Sequence, residues 1–268
     1  MTVTDMPKSF TLLIGPPRSG TTLIANTFMS HSTVCGVHEP YQHGRANGYG
    51  TTDFADFKAD HSLDFTDTPN LALKETTTRL RNVELSLELA QNVQNSGTYT
   101  SLILILRCPF EAFLSQVEAS RDHWEEKKLT DITEESVAHF FDRQRAPLRL
   151  ICENARRFHF RIVSYDSFCA SPETETARLM ALIPVPMEPH QKDLMPDAAG
   201  LALPDPKFAS SRGGITKTDR AMSVDHLIET YQHVPSVKFA MALRALIALD
   251  VKKITDVEKL DALTALVL

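Results

Sequence analysis

Eight residues near the start of the chain have the spacing of a phosphate-binding loop. Gly15 and Gly20, with four residues between them, follow the apolar run Phe10–Ile14 and precede a helix-periodic stretch that begins at Leu23. A strand, a glycine-bounded loop and a helix together allow backbone N–H groups and the positive end of a helix dipole to face one anion. The pattern therefore predicts that residues 15–22 bind phosphate.

This loop lacks the lysine of ATP-hydrolysing P-loops. The Walker pattern places lysine directly after the second glycine, where it reaches the outer phosphates of ATP. Thr21 occupies that position here, and the only cation of the loop is Arg18, between the two glycines. The candidate anion ligands are Pro17, Arg18, Ser19, Gly20, Thr21 and Thr22.

A second candidate anion site follows the strongest predicted strand, Tyr99–Leu106. Five consecutive aliphatic residues close this strand, as expected of a strand that is buried on both faces. Arg107 comes directly after it, and Ser115 stands eight residues later on a helix predicted to begin at Pro109. A guanidinium fork and a hydroxyl group are able to bind one phosphate together.

Strands and helices alternate along the whole chain. The other predicted strands are 10–14, 33–37, 70–75 and 160–164, and the predicted helices include 82–95, 133–158, 172–183, 224–232 and 236–249. Pro147 is expected to kink or break the long helix. The alternation predicts an α/β protein with a P-loop NTPase-like three-layer fold, in which helices flank a mainly parallel five-stranded sheet. Ligands of such sheets bind beyond the carboxyl ends of the strands.

Length, charge, apolar runs and cysteine spacing limit the classes of protein to which the chain can belong. The 268 residues suffice for a single domain with a substantial core, and the net charge of −6 argues against general nucleic-acid binding. The first nine residues do not resemble a signal peptide, and no apolar run is long enough to span a bilayer. The four cysteines lack metal-ligand spacing, so we expect reduced thiols, no metal site and a cytoplasmic location.

Three segments have little periodicity and are candidates for covering the site. Residues 41–70 are interpreted as a substrate-covering segment, with a disordered surface insertion as the alternative. Residues 118–135 are expected to shape the acceptor pocket with them, and residues 184–218 to wrap over a nucleotide.

The final helix carries an apolar stripe that either seals the core or meets a partner chain, so the oligomeric state stays open.

The two anion motifs together resemble those of the sulfotransferases, which use 3′-phosphoadenosine 5′-phosphosulfate (PAPS). Pro-Arg-Ser-Gly-Thr-Thr after a strand is similar to the 5′-phosphosulfate loop of the bacterial-type and tyrosylprotein-type branches. Arg107 and Ser115 are similar to the family's 3′-phosphate motif. The resemblance runs in order from Phe10 to about Thr218 and is specific in these two motifs. It implies that residues 17–22 hold the 5′-phosphosulfate, with Arg18 as the cation at the transferring group.

Two further nucleotide contacts are implied by the resemblance alone. Tyr165 stands where the family has a Tyr-Glu-Asp-like segment near the adenine, although a half-buried structural tyrosine is the alternative. Arg212, Gly213 and Gly214 resemble the late Arg-Lys-Gly loop that closes over the nucleotide. The lysine of that loop and the tryptophan that often follows it are missing here.

The general base is expected at the end of the second or third strand. Glu39 resembles the Gly-Glu-Pro glutamate of bacterial relatives, and a structural carboxylate paired with an arginine is the alternative. His38 is the second candidate, because histidine titrates near neutrality. Small-molecule relatives have Lys-Thr-His where this chain has Lys74, Glu75 and Thr76, so their histidine is absent. Lys74 remains a candidate catalytic residue, and Glu75 is the third candidate base.

The expected activity is transfer of a sulfuryl group to a hydroxyl or amine of a small molecule, glycan, lipid or peptide. A small-molecule kinase on the same sheet is one alternative, although the missing Walker lysine speaks against it. A nucleotide-binding protein without catalysis is the other alternative.

Overall fold

The computed structural model describes residues 6–41, 50–122, 131–193, 222–249 and 254–268. Strands and helices alternate through most of these ranges. The strands are β1 (Ser9–Gly15), β2 (Val34–His38), β3 (Asn70–Thr76), β4 (Tyr99–Leu106) and β5 (His159–Ser164). The helices are α1 (Thr21–Met29), α2 (Phe54–Asp60), α3 (Leu80–Asn95), α4 (Pro109–Asp122), α5 (Glu134–Ala155), α6 (Tyr165–Ala170), α7 (Pro172–Met180), α8 (Val224–Tyr231), α9 (Pro235–Ile247) and α10 (Asp256–Val267).

The five strands form one parallel sheet in the order β2-β3-β1-β4-β5. The predicted α/β fold with a five-stranded parallel sheet is confirmed. The chain leaves β1 toward β2 and β3, and then crosses over β1 to reach β4 and β5. The strand order therefore reverses between β1 and β4, and open parallel sheets bind their ligands at such a reversal.

Both faces of the sheet are covered, which explains why its strands read as continuous apolar runs. Phe10, Leu12 and Ile14 of β1 point to one face, where α3, α5, α9 and α10 pack. Leu13 of β1 and Ile103 of β4 point to the other face, under α1, α6 and α7. Each fully buried side chain of this kind contributes roughly 1.5–3 kcal/mol to folding.

A third apolar cluster fixes the position of α4, the helix that carries Ser115. Phe110 of α4 packs edge-on against Phe141 of α5, with ring centroids 5.2 Å apart. Phe113 packs in the same way against Phe140 at 5.3 Å. These aromatic contacts hold the start of α4 in a set orientation beside the end of β4.

Pro147 does not break α5, contrary to one of the two expected outcomes. The helix begins at a capping box formed by Thr133 and Ser136 and continues past the proline to Ala155. Pro147 is buried, and Leu148 and Ile151 on the same helix lie in the core. Burial of this apolar face compensates for the backbone hydrogen bond that proline cannot donate.

Part of the segment 41–70 is ordered, so the disordered-insertion alternative is wrong for residues 50–69. Phe54 and Phe57 are buried, and the ring of Phe54 stacks on that of Phe65 at 6.1 Å. Asn92 of α3 donates to the Thr52 carbonyl at 2.9 Å and ties the segment to the core. The short helix α2 was not predicted, because two large apolar residues in a seven-residue segment give little periodicity.

The final helix packs into the core, since Leu260, Leu263 and Val267 of α10 are buried. Asp256 at its start accepts hydrogen bonds from Arg178 of α7 and from the backbone N–H of Ile162 in β5. Of the helices in the described ranges, none combines the length and apolar character that a bilayer crossing requires. All four cysteines are free thiols.

Candidate active site

The phosphate-binding loop lies between the end of β1 and the start of α1, at the point where the strand order reverses. Gly20 has φ +85° and Arg18 has φ +65°, so the loop turns sharply at both residues. A Cβ atom at Gly15 would overlap the Ile105 carbonyl oxygen of β4 and crowd the Ser19 hydroxyl. Glycine at position 15 therefore allows the loop to start close against β4.

The Ser19 hydroxyl and the uncapped amino end of α1 are the donors that this loop offers to a ligand. No side chain caps the amino end of α1 at Gly20, so the first N–H groups of the helix are left for a ligand. Ser19 is 1% exposed, and its hydroxyl has no hydrogen-bond partner among the described residues. Buried donors of this kind are normally satisfied, so an anion held in the loop is a physically reasonable partner.

The two predicted anion motifs contact one another directly. The Arg18 guanidinium donates through Nε to the Ser115 hydroxyl at 3.3 Å, and Arg107 donates to the Arg18 carbonyl at 3.2 Å. Glu111, one helical turn after Arg107, forms an ion pair with it at 3.3 Å. The end of β4, the start of α4 and the loop after β1 thus meet in one crevice with two guanidinium groups.

Tyr165 borders this crevice from the end of β5. A Cβ atom at Gly20 would overlap the Tyr165 ring, and the Arg107 guanidinium lies 4.4 Å from the centroid of the same ring. Burial raises the pKa of the Tyr165 hydroxyl to about 12, with a smaller contribution from the nearby Cys169. The ring is half-buried and contacts both anion motifs. A contact of Tyr165 with adenine stays a prediction.

The candidate base lies at the neighbouring strand ends. Glu39 follows β2 with φ +46°, and its backbone N–H donates to the Lys74 carbonyl of β3 at 2.7 Å. The Lys74 ammonium, 3% exposed, forms an ion pair with the Glu39 carboxylate. Among the described residues, the structure pairs the Glu39 carboxylate with this lysine, and a pairing of Glu39 with an arginine stays a prediction.

Glu75 is the most deeply buried titratable group of this region, with none of its surface exposed. Its Oε1 accepts the backbone N–H of Thr76 at 3.0 Å, whereas its Oε2 has no hydrogen-bond partner among the described residues. Burial, together with the nearby charge of Glu39, raises the pKa of Glu75 to about 7. The carboxyl group therefore gains or loses a proton near neutral pH.

The expectation that His38 titrates near neutrality is wrong. Burial and the Lys74 charge lower the pKa of His38 to about 4, so the ring is neutral at pH 7. Both ring nitrogens are buried and have no hydrogen-bond partner among the described residues. A base with so low a pKa binds a proton weakly, which counts against His38 as the general base.

The candidate base and the phosphate-binding loop share one edge of the sheet. β3, which carries Lys74 and Glu75, pairs directly with β1, and the Thr77 N–H donates to the Gly15 carbonyl at 3.0 Å. Sequence reasoning missed Thr77 and Glu111. The spacing of Glu111 from Arg107, one turn along α4, is the signal that could have identified it.

Some of the predicted site residues lie outside the described ranges of the chain. Arg212, Gly213 and Gly214 lie outside the described residues, as do residues 42–49, 123–130 and 194–218 of the three covering segments. Within the described ranges, His, Cys, Asp and Glu side chains form no group of three or more able to hold a metal ion.

No protein-family profile matches the chain, and no curated protein matches it. Among solved structures, it is similar to the sulfotransferase domain of the olefin synthase from Synechococcus PCC 7002, with 15% identity and a TM-score of 0.55 over 91% of this chain and 96% of that chain. A mouse sulfotransferase, SULT7A1, solved with PAP, matches at 12% identity and a TM-score of 0.48, over 90% and 91% of the two chains. The chain therefore has the fold of the Synechococcus sulfotransferase domain.

Proposed function

We propose that the protein is a sulfotransferase, which moves a sulfuryl group from PAPS to a hydroxyl or amine of an acceptor. The observation that carries the proposal is the contact between the two anion motifs. Arg18 bonds to Ser115 and Arg107 bonds to the Arg18 backbone, so cations from two strand ends converge on one crevice. A nucleotide with phosphate groups at both its 3′ and 5′ positions requires such a paired site.

The donors of the crevice suit the two ends of this nucleotide. The open amino end of α1 and the unpartnered Ser19 hydroxyl would hold the 5′-phosphosulfate, together with Pro17, Arg18, Thr21 and Thr22. Arg107 and Ser115 would hold the 3′-phosphate, and the buried Arg107 Nε has no hydrogen-bond partner among the described residues. PAPS supplies the activated sulfuryl group. Arg18 would stabilise the charge that develops there, an effect on the order of 10²–10³-fold in rate.

Glu39 is the proposed general base. Its ion pair with Lys74 fixes the carboxylate at the end of β2, one strand away from β1. From that place it would accept the proton of the acceptor hydroxyl or amine. Residues 41–70 and 118–135 would form the acceptor pocket, and Arg212, Gly213 and Gly214 would close over the nucleotide.

Ligand-dependent thermal stability tests the nucleotide site. Adenosine 3′,5′-bisphosphate should raise the melting temperature, whereas adenosine 5′-phosphate should raise it far less, because only the first ligand engages both motifs. Arg107→Ala should remove most of the difference. Arg149→Ala, which removes an exposed arginine on α5, is the matched control. Equal shifts with both nucleotides, or none with either, would contradict the proposal.

Transfer itself is tested with sulfur-labelled PAPS and a panel of phenol, sugar, lipid and peptide acceptors. Glu39→Gln should abolish transfer while the bisphosphate still raises the melting temperature. Retention of transfer in both Glu39→Gln and His38→Asn would indicate that another residue acts as the general base or that none is needed. Magnesium-dependent ATP turnover that is lost in Arg18→Ala would support a kinase instead.

A further inference from the structure

Tyr165 connects three strand ends of the sheet. It is the first residue of α6, directly after β5, and its ring lies where a side chain at position 20 would project. Gly20 ends the phosphate-binding loop and begins α1. Because the ring fills this space, it supports the loop from the side opposite β3.

The same ring contacts Arg107. The guanidinium carbon lies 4.4 Å from the ring centroid, within the range of a cation–π interaction. From this position Arg107 donates to the Arg18 carbonyl at 3.2 Å and pairs with Glu111 at 3.3 Å. One continuous series of contacts therefore runs from Tyr165 through Arg107 to Arg18 and on to Ser115.

Two guanidinium groups in one crevice repel each other when no anion lies between them. The negative face of an aromatic ring and the Glu111 carboxylate both offset this repulsion for Arg107. Without them, Arg107 would depend on its hydrogen bond to the Arg18 carbonyl to stay beside the loop. The ring thus favours the arrangement of the crevice that a bound anion also favours.

We propose that Tyr165 is a positioning residue, whose ring holds the phosphate-binding loop and Arg107 in their binding arrangement before any ligand arrives. A site ordered in advance loses less conformational entropy on binding, and so binds more tightly. The identity of the ligand rests on the proposed function, but the ordering of the loop does not.

The proposal distinguishes the ring from its hydroxyl group. The contacts with Gly20 and Arg107 are made by ring carbons and by the ring face, not by the hydroxyl group. Tyr165→Phe should therefore keep the loop in its arrangement. Tyr165→Leu removes the aromatic ring and should allow the loop to leave that arrangement.

Hydrogen exchange of the ligand-free protein tests the ordering. In Tyr165→Leu, peptides that cover residues 15–22 should exchange about tenfold faster than in the wild type, since a desolvated cation–π contact is lost. Tyr165→Phe should match the wild type. Tyr231→Leu makes the same change at a half-buried tyrosine of α8, which bonds to the Ile132 carbonyl, and should leave residues 15–22 unaffected.

Unchanged exchange of residues 15–22 in Tyr165→Leu would overturn the proposal, as would equally fast exchange in Tyr165→Phe. If the leucine variant fails to fold, Tyr165→Met fills more of the volume without an aromatic face and takes its place. Faster exchange across the whole sheet in Tyr165→Leu and Tyr165→Met would also overturn the proposal, because Tyr165 would then contribute to general core packing.

Nucleotide affinity separates this proposal from the proposed function. Tyr165→Leu should bind adenosine 3′,5′-bisphosphate about tenfold more weakly than the Tyr231→Leu control. If the wild type does not bind this nucleotide, the proposed function is wrong. The hydrogen-exchange rates of residues 15–22 would still show whether Tyr165 orders the loop. Equal affinity of the two variants would remove Tyr165 from the binding arrangement.

Discussion

Replacing Glu75 with glutamine should change how the stability of the protein depends on pH. Glu75 is completely buried, and its Oε1 accepts the Thr76 N–H, a bond that a glutamine carbonyl also accepts. Glutamine has the shape of a protonated glutamic acid but cannot ionise. The substitution therefore removes one titration and leaves the packing almost unchanged.

The magnitude follows from the pKa of Glu75, which burial raises from 4.5 to about 7. Between these two pH values the folded chain keeps a proton that the unfolded chain has lost. The stabilisation linked to this proton is fully present below about pH 4.5 and is lost as the pH rises through 7. At roughly 1.4 kcal/mol per pKa unit, the whole change is about 3 kcal/mol.

Urea unfolding at several pH values between about 4.5 and 8 measures this pH-dependent contribution of Glu75 to the free energy of unfolding. The free energy of unfolding of Glu75→Gln, minus that of the wild type, should increase by about 3 kcal/mol from the lowest to the highest pH. Glu229→Gln makes the same change at an exposed position of α8 and should show a small difference throughout. A Glu75→Gln difference that is constant with pH, or that decreases, would refute the reasoning.

Three further changes test the strand ends and the loop. Lys74→Met leaves the Glu39 carboxylate without its buried lysine partner and should lower the free energy of unfolding by about 3 kcal/mol. The double variant Lys74→Met/Glu39→Gln should regain part of this loss. Equal losses in the single and the double variant would contradict the pairing. Gly20→Ala should cost about 1–3 kcal/mol by urea unfolding, because of the positive φ and the overlap with Tyr165; a stable variant would exclude that strain. His38 has a pKa lowered from 6.5 to about 4, so the unfolded chain binds its proton more readily and stability rises with pH across this window. His38→Asn should lose that rise, which a pH series of melting curves would show.

The pattern of apolar runs predicted the sheet well, because strands buried on both faces leave an unambiguous signal. The predicted limits of β4, Tyr99–Leu106, are those observed. α2 was missed, since a seven-residue helix with two buried phenylalanines has too little periodicity. Pro147 was expected to kink or break α5; the helix does not break, because burial of the surrounding apolar face offsets the local preference of proline.

Sequence motifs predicted which residues could bind anions but not how those residues contact one another. The Arg18 loop and the Arg107–Ser115 pair lie about ninety residues apart, and only the β1–β4 pairing brings them together. The low pKa of His38 could not be predicted either, because it arises from burial and from Lys74 on the adjacent strand. Motifs fix residue types, whereas tertiary neighbours fix their charge states.

The backbone at Arg18 and Glu39 has a consequence for how this chain can change over generations. Both residues have positive φ, a conformation that costs a non-glycine residue on the order of 1 kcal/mol and that glycine and asparagine adopt easily. A lineage that no longer needed the arginine could relieve this strain at position 18 with glycine or asparagine, whereas loss of the glutamate would also leave the buried Lys74 ammonium without its ion-pair partner. Retention of Arg18 in related sequences would therefore be the clearer record of selection for chemistry against stability.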